Sequence, residues 1–114
     1  MKMEQVVLST QVQTRFVQLY ARGTPYLVSG SEEAHWTILA NALDELGIFP
    51  KIRFGIPNAT GDDYELVGDG FCGKIGNEYK LRGQSAHFKR GPNKKHLEDL
   101  ASVTPVGVTI TIDD

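Results

Sequence analysis

The stretch from Asp63 to Gly83 constrains this chain most, because glycines at 68, 70, 73, 76 and 83 punctuate a run of strand-favouring residues. Asp69-Gly70 tolerates φ > 0 at both positions, the requirement of a type I′ hairpin turn. Reversing the chain there sets Tyr64 opposite Ile75, Leu66 opposite Gly73 and Gly68 opposite Phe71, so one face is wholly apolar or glycine. The other face pairs Val67 with Cys72 and Glu65 with Lys74, the latter worth about 0.2–1 kcal/mol. A second reversal falls at Gly76-Asn77-Glu78. A two-residue loop would set Phe71 against Arg82 and spoil the apolar face. A three-residue loop sets Ile75 against Tyr79 and Gly73 against Leu81, and is therefore expected. Residues 63–83 read as a three-stranded antiparallel meander.

Val6 to Leu8 reads as a short strand. Val12, Phe16, Leu19 and Tyr20 recur at helical spacing among Gln11, Gln13, Arg15 and Gln18, which favours a helix over residues 10–22. A strand is the rival, since Val12, Thr14 and Phe16 also alternate. Tyr26 to Val28 crosses to the next element in extended form after Thr24-Pro25. Ser31 to Leu46 is the clearest helix. Ser31 stands at the N-cap, Glu32 and Glu33 complement the positive end of the dipole, and Gly47 follows the end. Trp36, Leu39, Ala40, Leu43 and Leu46 share its buried stripe. Ile52, Phe54 and Ile56 alternate as a strand. Asn93 caps a short helix carrying Leu97, Leu100 and Ala101 inward, Thr104-Pro105 ends it, and Val108, Ile110 and Ile112 alternate as a last strand. The fold class expected is α+β: an antiparallel sheet of four to five strands, packed on one face by two or three helices, in a single domain over residues 1–114.

At 114 residues the chain can bury roughly 65% of its unfolded surface without a disulfide or metal staple. Cys72 is the one cysteine, which excludes an intrachain disulfide and fits a reducing compartment. Only three consecutive apolar residues, Val6 to Leu8, follow the charged start, which is no signal peptide. No run approaches the ~18 apolar residues of a membrane span, so a soluble cytoplasmic protein with no membrane partner is expected.

Gly68-Asp69-Gly70-Phe71-Cys72-Gly73 matches G-x-G-x-x-G, but a dinucleotide site needs that loop to open a helix, and here a strand follows. The glycines are instead expected to serve a turn at Gly70 and the close approach of a helix at Gly68 and Gly73. Asp62, Asp63, Glu65 and Asp69 are the densest acidic group. Strand alternation sends them apart, so neither a metal site nor a cofactor is expected. His35-Trp36-Thr37 has the H-x-T form of two-histidine phosphoesterases, but no second copy exists at His87 or His96. No catalytic residues are assigned.

Charge is the asymmetry that bears on function. From Lys74 to Lys95 there are seven basic residues and one acid, Glu78, in a chain whose formal net charge is −2. Lys80 and Arg82 fall on the face opposite Tyr79 and Leu81. They are expected to adjoin His87, Phe88, Lys89 and Arg90 in the following loop and Lys94 and Lys95 at the helix start, with Phe88 placed to stack on a base. The leading expectation is a small non-enzymatic binding protein that engages nucleic acid or another phosphate-bearing ligand through these eight residues. The alternative is a protein-binding adaptor or inhibitor, such as an accessory protein of a mobile element. A third reading is a minimal nuclease-like hydrolase with His87 or His96 as general acid or base. The strand at 108–112, if it forms a sheet edge, offers a surface for pairing across a homodimer.

Overall fold

A computed structural model describes residues 3–32 and 34–113. The strands are β1 (Val6–Val7), β2 (Gln13–Ala21), β3 (Thr24–Gly30), β4 (Ile52–Arg53), β5 (Ile56–Pro57), β6 (Tyr64–Ile75), β7 (Glu78–Arg82) and β8 (Thr109–Ile112), and the helices are α1 (His35–Glu45) and α2 (Lys94–Asp99). Six strands form one sheet in the order β1-β3-β2-β6-β7-β8, curled into a half-barrel. The β1–β3 and β7–β8 ladders are parallel and the other three antiparallel, while β4 and β5 make a separate hairpin. This overturns the expected antiparallel sheet of four to five strands with helices on one face. Two helices are described, and they pack on opposite faces.

Residues 10–22 are not a helix. β2 sits in the middle of the sheet, and Thr14, Phe16, Val17, Gln18 and Leu19 are all buried. With both faces covered, the polar–apolar alternation that marks a strand is erased, and the helical spacing of its apolar residues is coincidence. Val17, Leu19 and Ala21 pack with Ile38, Leu39 and Leu43 of α1 and with Tyr64, Leu66 and Phe88. Phe16, on the other face, packs with Val6, Leu27, Cys72, Tyr79, Leu81 and Leu100, the last just beyond α2. Tyr26 to Val28 lies inside β3 rather than crossing between elements.

The meander over 63–83 is also overturned. β6 runs unbroken through Asp69-Gly70, paired along its length with β2. Val67 is squeezed out as a bulge where the partner of Gln18 is Gly68 and that of Leu19 is Leu66. Turns with φ > 0 at both central residues occur elsewhere, at Arg22-Gly23 (50° and 82°) between β2 and β3 and at Phe54-Gly55 (54° and 77°) between β4 and β5. Ile52 to Ile56 is therefore a hairpin rather than one strand.

Gly76-Asn77 forms a two-residue loop, not three: Ile75 pairs with Glu78 and Phe71 with Arg82. Gly76, at φ 61°, takes the first central position of a type II′ turn. Pairing Phe71 with Arg82 spoils no core, because Phe71 lies on the open face and is 40% exposed.

α1 begins at His35 with Ala34 at its N-cap and no side-chain cap, so Ser31 does not serve; Glu33 lies outside the described residues. Its buried side is His35, Ile38, Leu39, Ala42 and Leu43, rotated from the expected stripe so that Trp36 and Leu46 only flank the core. Gly47, at φ 70°, closes the helix as expected. At α2 the Asn93 side chain accepts from the His96 backbone N–H at 2.9 Å, the cap the sequence implied. No described helix is long and apolar enough to cross a membrane.

Candidate functional site

β7 alternates exposed Glu78, Lys80 and Arg82 with buried Tyr79 and Leu81. Arg82 pairs with Phe71, and Phe71 with Arg15 of β2, which stands two residues from Val17 beneath α1. Lys80 and Arg82 therefore share the α1 face of the sheet, at the end that α1 leaves open. Arg15 lies 5.8 Å over the Phe71 ring, the His35 ring meets it edge-on at 5.3 Å, and Gly73 faces Lys80. Val12, Gly73, Ile75, Lys80 and Arg82 border a dimple of about 180 Å³. Enclosed sites for small ligands run to roughly 300–1,000 Å³, and this dimple is smaller than that.

Three glycines of β6 separate fold from site. A side-chain carbon on Gly68 would fall 2.3 Å from Gln18 Oε1, and one on Gly70 would fall 2.4 Å from the Arg82 carbonyl oxygen. Packing explains both. At Gly73 the nearest atom is the Arg82 Nη2, 3.9 Å away, so the fold does not require glycine there. A glycine in an open strand face lets another backbone or a ligand approach closely.

The loop after β7 is held by Asp69. This fully buried carboxylate accepts from the Ser85 hydroxyl and from the backbone N–H groups of Ser85, Arg90 and Gly91 at 3.3, 3.1 and 2.9 Å. Asp69 N–H donates in turn to the Gly91 carbonyl at 3.0 Å. The loop is thereby fixed over the α1 face, with Lys89 at φ 57° and the Lys89 and Arg90 side chains outward. Phe88 is corrected as a stacking residue: only 8% exposed, it belongs to the α1 core. His87 is exposed and rests edge-on against Phe88, 4.7 Å between centroids.

The basic stretch does not converge on one surface. Lys80 and Arg82, with Lys89 and Arg90, belong to the α1 face. Lys94 and Lys95 open α2, whose Leu97 and the following Leu100 pack against the opposite face. Lys95 is paired with Asp99 at 2.6 Å, which raises the lysine pKa and lowers that of the carboxyl. Asp99 also accepts from Tyr20, whose pKa is pushed up to about 12 by burial and then by this bond. Lys80 lies 4.0 Å from Glu78, an exposed pair worth about 0–1 kcal/mol. Among the described residues no carboxylate comes within ion-pair distance of Arg82, Lys89, Arg90 or Lys94.

His96 stands in the core with both ring nitrogens engaged. Completely buried, it donates from Nε2 to the Leu19 carbonyl at 2.9 Å and accepts at Nδ1 from the Gln18 amide at 3.1 Å. Burial lowers its pKa. His35 is likewise buried, donates to the Gly70 carbonyl at 2.6 Å, and has a pKa lowered by burial. Cys72 is buried and its thiol pKa is raised by that burial. Among the described residues no three His, Cys, Asp or Glu side chains gather as a metal site.

Arg15, Phe71 and Gly73 join Lys80 and Arg82 on the open face only through the β2–β6 and β6–β7 registers. The signal that would have found them is the two-residue Gly76-Asn77 turn, which fixes Phe71 opposite Arg82. The sequence matches no protein-family model and none of the curated proteins it was compared with.

Proposed function

We propose that this chain is a non-enzymatic binding protein that holds single-stranded nucleic acid across the open end of the α1 face. A single strand needs cations for its phosphates and a ring for a base to stack on. Lys80, Arg82, Lys89 and Arg90 supply the first, and Phe71, flanked by Arg15 and Arg82, supplies the second. The observation that carries the proposal is Gly73: it faces Lys80, the fold leaves it free to be larger, and its bareness opens the backbone to a ligand. At about 180 Å³ the dimple is of a size to take one unit of a polymer.

Fluorescence anisotropy of a labelled single-stranded oligonucleotide, titrated at several salt concentrations, tests this. Replacing Lys80 and Arg82 with Ala should weaken binding and flatten the logarithmic salt slope by about 1.4, since each lost phosphate contact on a single strand contributes roughly 0.7. Replacing Lys94 and Lys95, on the other face, should leave most of the slope. An equal loss from the two pairs, or no binding at low salt, ends the proposal.

A protein-binding adaptor is the second reading, favoured by one observation. Phe49, Ile52 and Phe54 are 96%, 59% and 90% exposed on and beside the β4–β5 hairpin, with Lys51 and Arg53 between them. Large exposed apolar side chains crowded with cations are the composition of a protein-contact anchor. This reading predicts saturable binding to a protein partner that Phe49→Ser and Phe54→Ser abolish, and none to oligonucleotides.

A further inference from the structure

β8 ends the sheet, and no described strand pairs with its outer side. On its inner side Thr109 N–H donates to the Asn77 carbonyl at 3.0 Å and Asp113 N–H to the Leu81 carbonyl at 2.9 Å. In a parallel ladder alternate residues turn their backbone groups to the same neighbour. Thr109, Thr111 and Asp113 therefore bond β7, and the N–H and C=O groups of Ile110 and Ile112 point outward. Within its four residues the strand carries few of the usual protections of a free edge. Thr109 to Ile112 contains no charge, no proline and no bulge, whereas β1, at the other edge, is only two residues long.

We propose that this edge is the interface of a homodimer, formed by antiparallel pairing of β8 with β8 of a second copy about a two-fold axis at Thr111. The segment is complementary to itself in that register. Ile110 lies opposite Ile112 of the second copy, with both sets of outward backbone groups in position to bond. The two Thr111 residues meet as the non-hydrogen-bonded pair at the axis. The isoleucines of both copies fall on the face of Tyr79 and Leu81, where Ile110 is packed but only half-buried, so the second strand extends an unfinished core. Asp113 falls opposite Thr109 of the second copy rather than opposite another acid. A shift by one residue would set Ile against Thr throughout, which selects against it.

The axis stands perpendicular to the sheet, so the two Lys80–Arg82 faces lie on one side of a continuous twelve-stranded surface. Their β7 strands are three inter-strand spacings apart, about 14 Å. The dimer stands whether or not that face binds nucleic acid, because its evidence is the ladder alone.

Sedimentation equilibrium of the whole chain tests it, the mass rising with concentration from 12.6 kDa to twice that value. Thr111→Lys sets two ammonium groups side by side at the axis while leaving an exposed position of the monomer, and should sediment as a monomer with an unchanged circular dichroism spectrum. Thr111→Cys should form a disulfide-linked dimer on mild oxidation, because a non-hydrogen-bonded pair has its Cα atoms about 4.5 Å apart. Thr109→Cys, opposite Asp113, should not. A wild-type chain monomeric at every concentration overturns the proposal. So does a dimer that Thr111→Lys leaves intact or that Thr111→Cys fails to cross-link.

Discussion

Gly70 lies so close beneath the Arg82 carbonyl that a side-chain carbon there would sit 2.4 Å from its oxygen. Its φ of 151° is also one that L side chains rarely adopt. Neither obstacle can be met by turning a side chain, because the clash is with backbone. Gly70→Ala should lower stability by about 2–4 kcal/mol, read from urea denaturation midpoints at unchanged m-value.

Gly73 offers the opposite case on the same strand. Open space and an ordinary backbone suit a β-branched residue there, so Gly73→Val should raise stability or leave it within about 0.5 kcal/mol. The new side chain would stand where a ligand is proposed to approach. Oligonucleotide affinity should fall at least about tenfold, a loss of roughly 1.4 kcal/mol. Stability and binding moving in opposite directions is the expected result, and unaltered affinity removes Gly73 from the site.

Phe54 occupies the first central position of a turn with φ 54°, where asparagine or glycine is at ease and a large aromatic is not. Its ring is 90% exposed and repays little of that strain. Phe54→Asn should stabilise the protein by about 0.5–1 kcal/mol, visible as a rise in Tm.

The two buried histidines make stability depend on pH. Each has a pKa lowered from 6.5 by burial, so below that value the unfolded chain takes up protons that the folded chain refuses. Their contribution is fully present above 6.5 and is lost as pH falls from there toward the folded pKa values. The denaturation midpoint should therefore drop as the pH falls below about 6.5. His96→Gln should flatten that slope while lowering stability at neutral pH, since the ring's bonds to Leu19 and Gln18 go with it.

What the sequence made legible is whatever one residue decides locally. Asn93 could be assigned as a cap because its side chain acts three residues away, and Lys80 and Arg82 fell opposite Tyr79 and Leu81 because β7 alternates. The errors share one cause. Asp69-Gly70 carries strong turn chemistry, but its carboxylate is claimed by backbone groups at positions 85, 90 and 91, and no local pattern announces that. β2 reads as helix because both its faces are covered, and one of them carries a buried polar residue, Gln18, locked between Asn93 and His96. Phe88 stands in a run of polar and basic residues that reads as a surface loop. Asp69 pins the loop that delivers it to the core.

The β2–β6 ladder has a further consequence, in time rather than space. β2 pairs at once with β3 across a two-residue turn, but its partners on the other side lie roughly 40 to 60 residues downstream. Half of the central strand's hydrogen bonds must wait for that distant segment, and loop-closure entropy is spent before any of them forms. Folding should accordingly be slow for a protein of this size, on the order of milliseconds to seconds. On an emerging nascent chain β1, β2, β3 and α1 are all made before β6, and β2 would keep one side unpaired until residues 64–73 had followed.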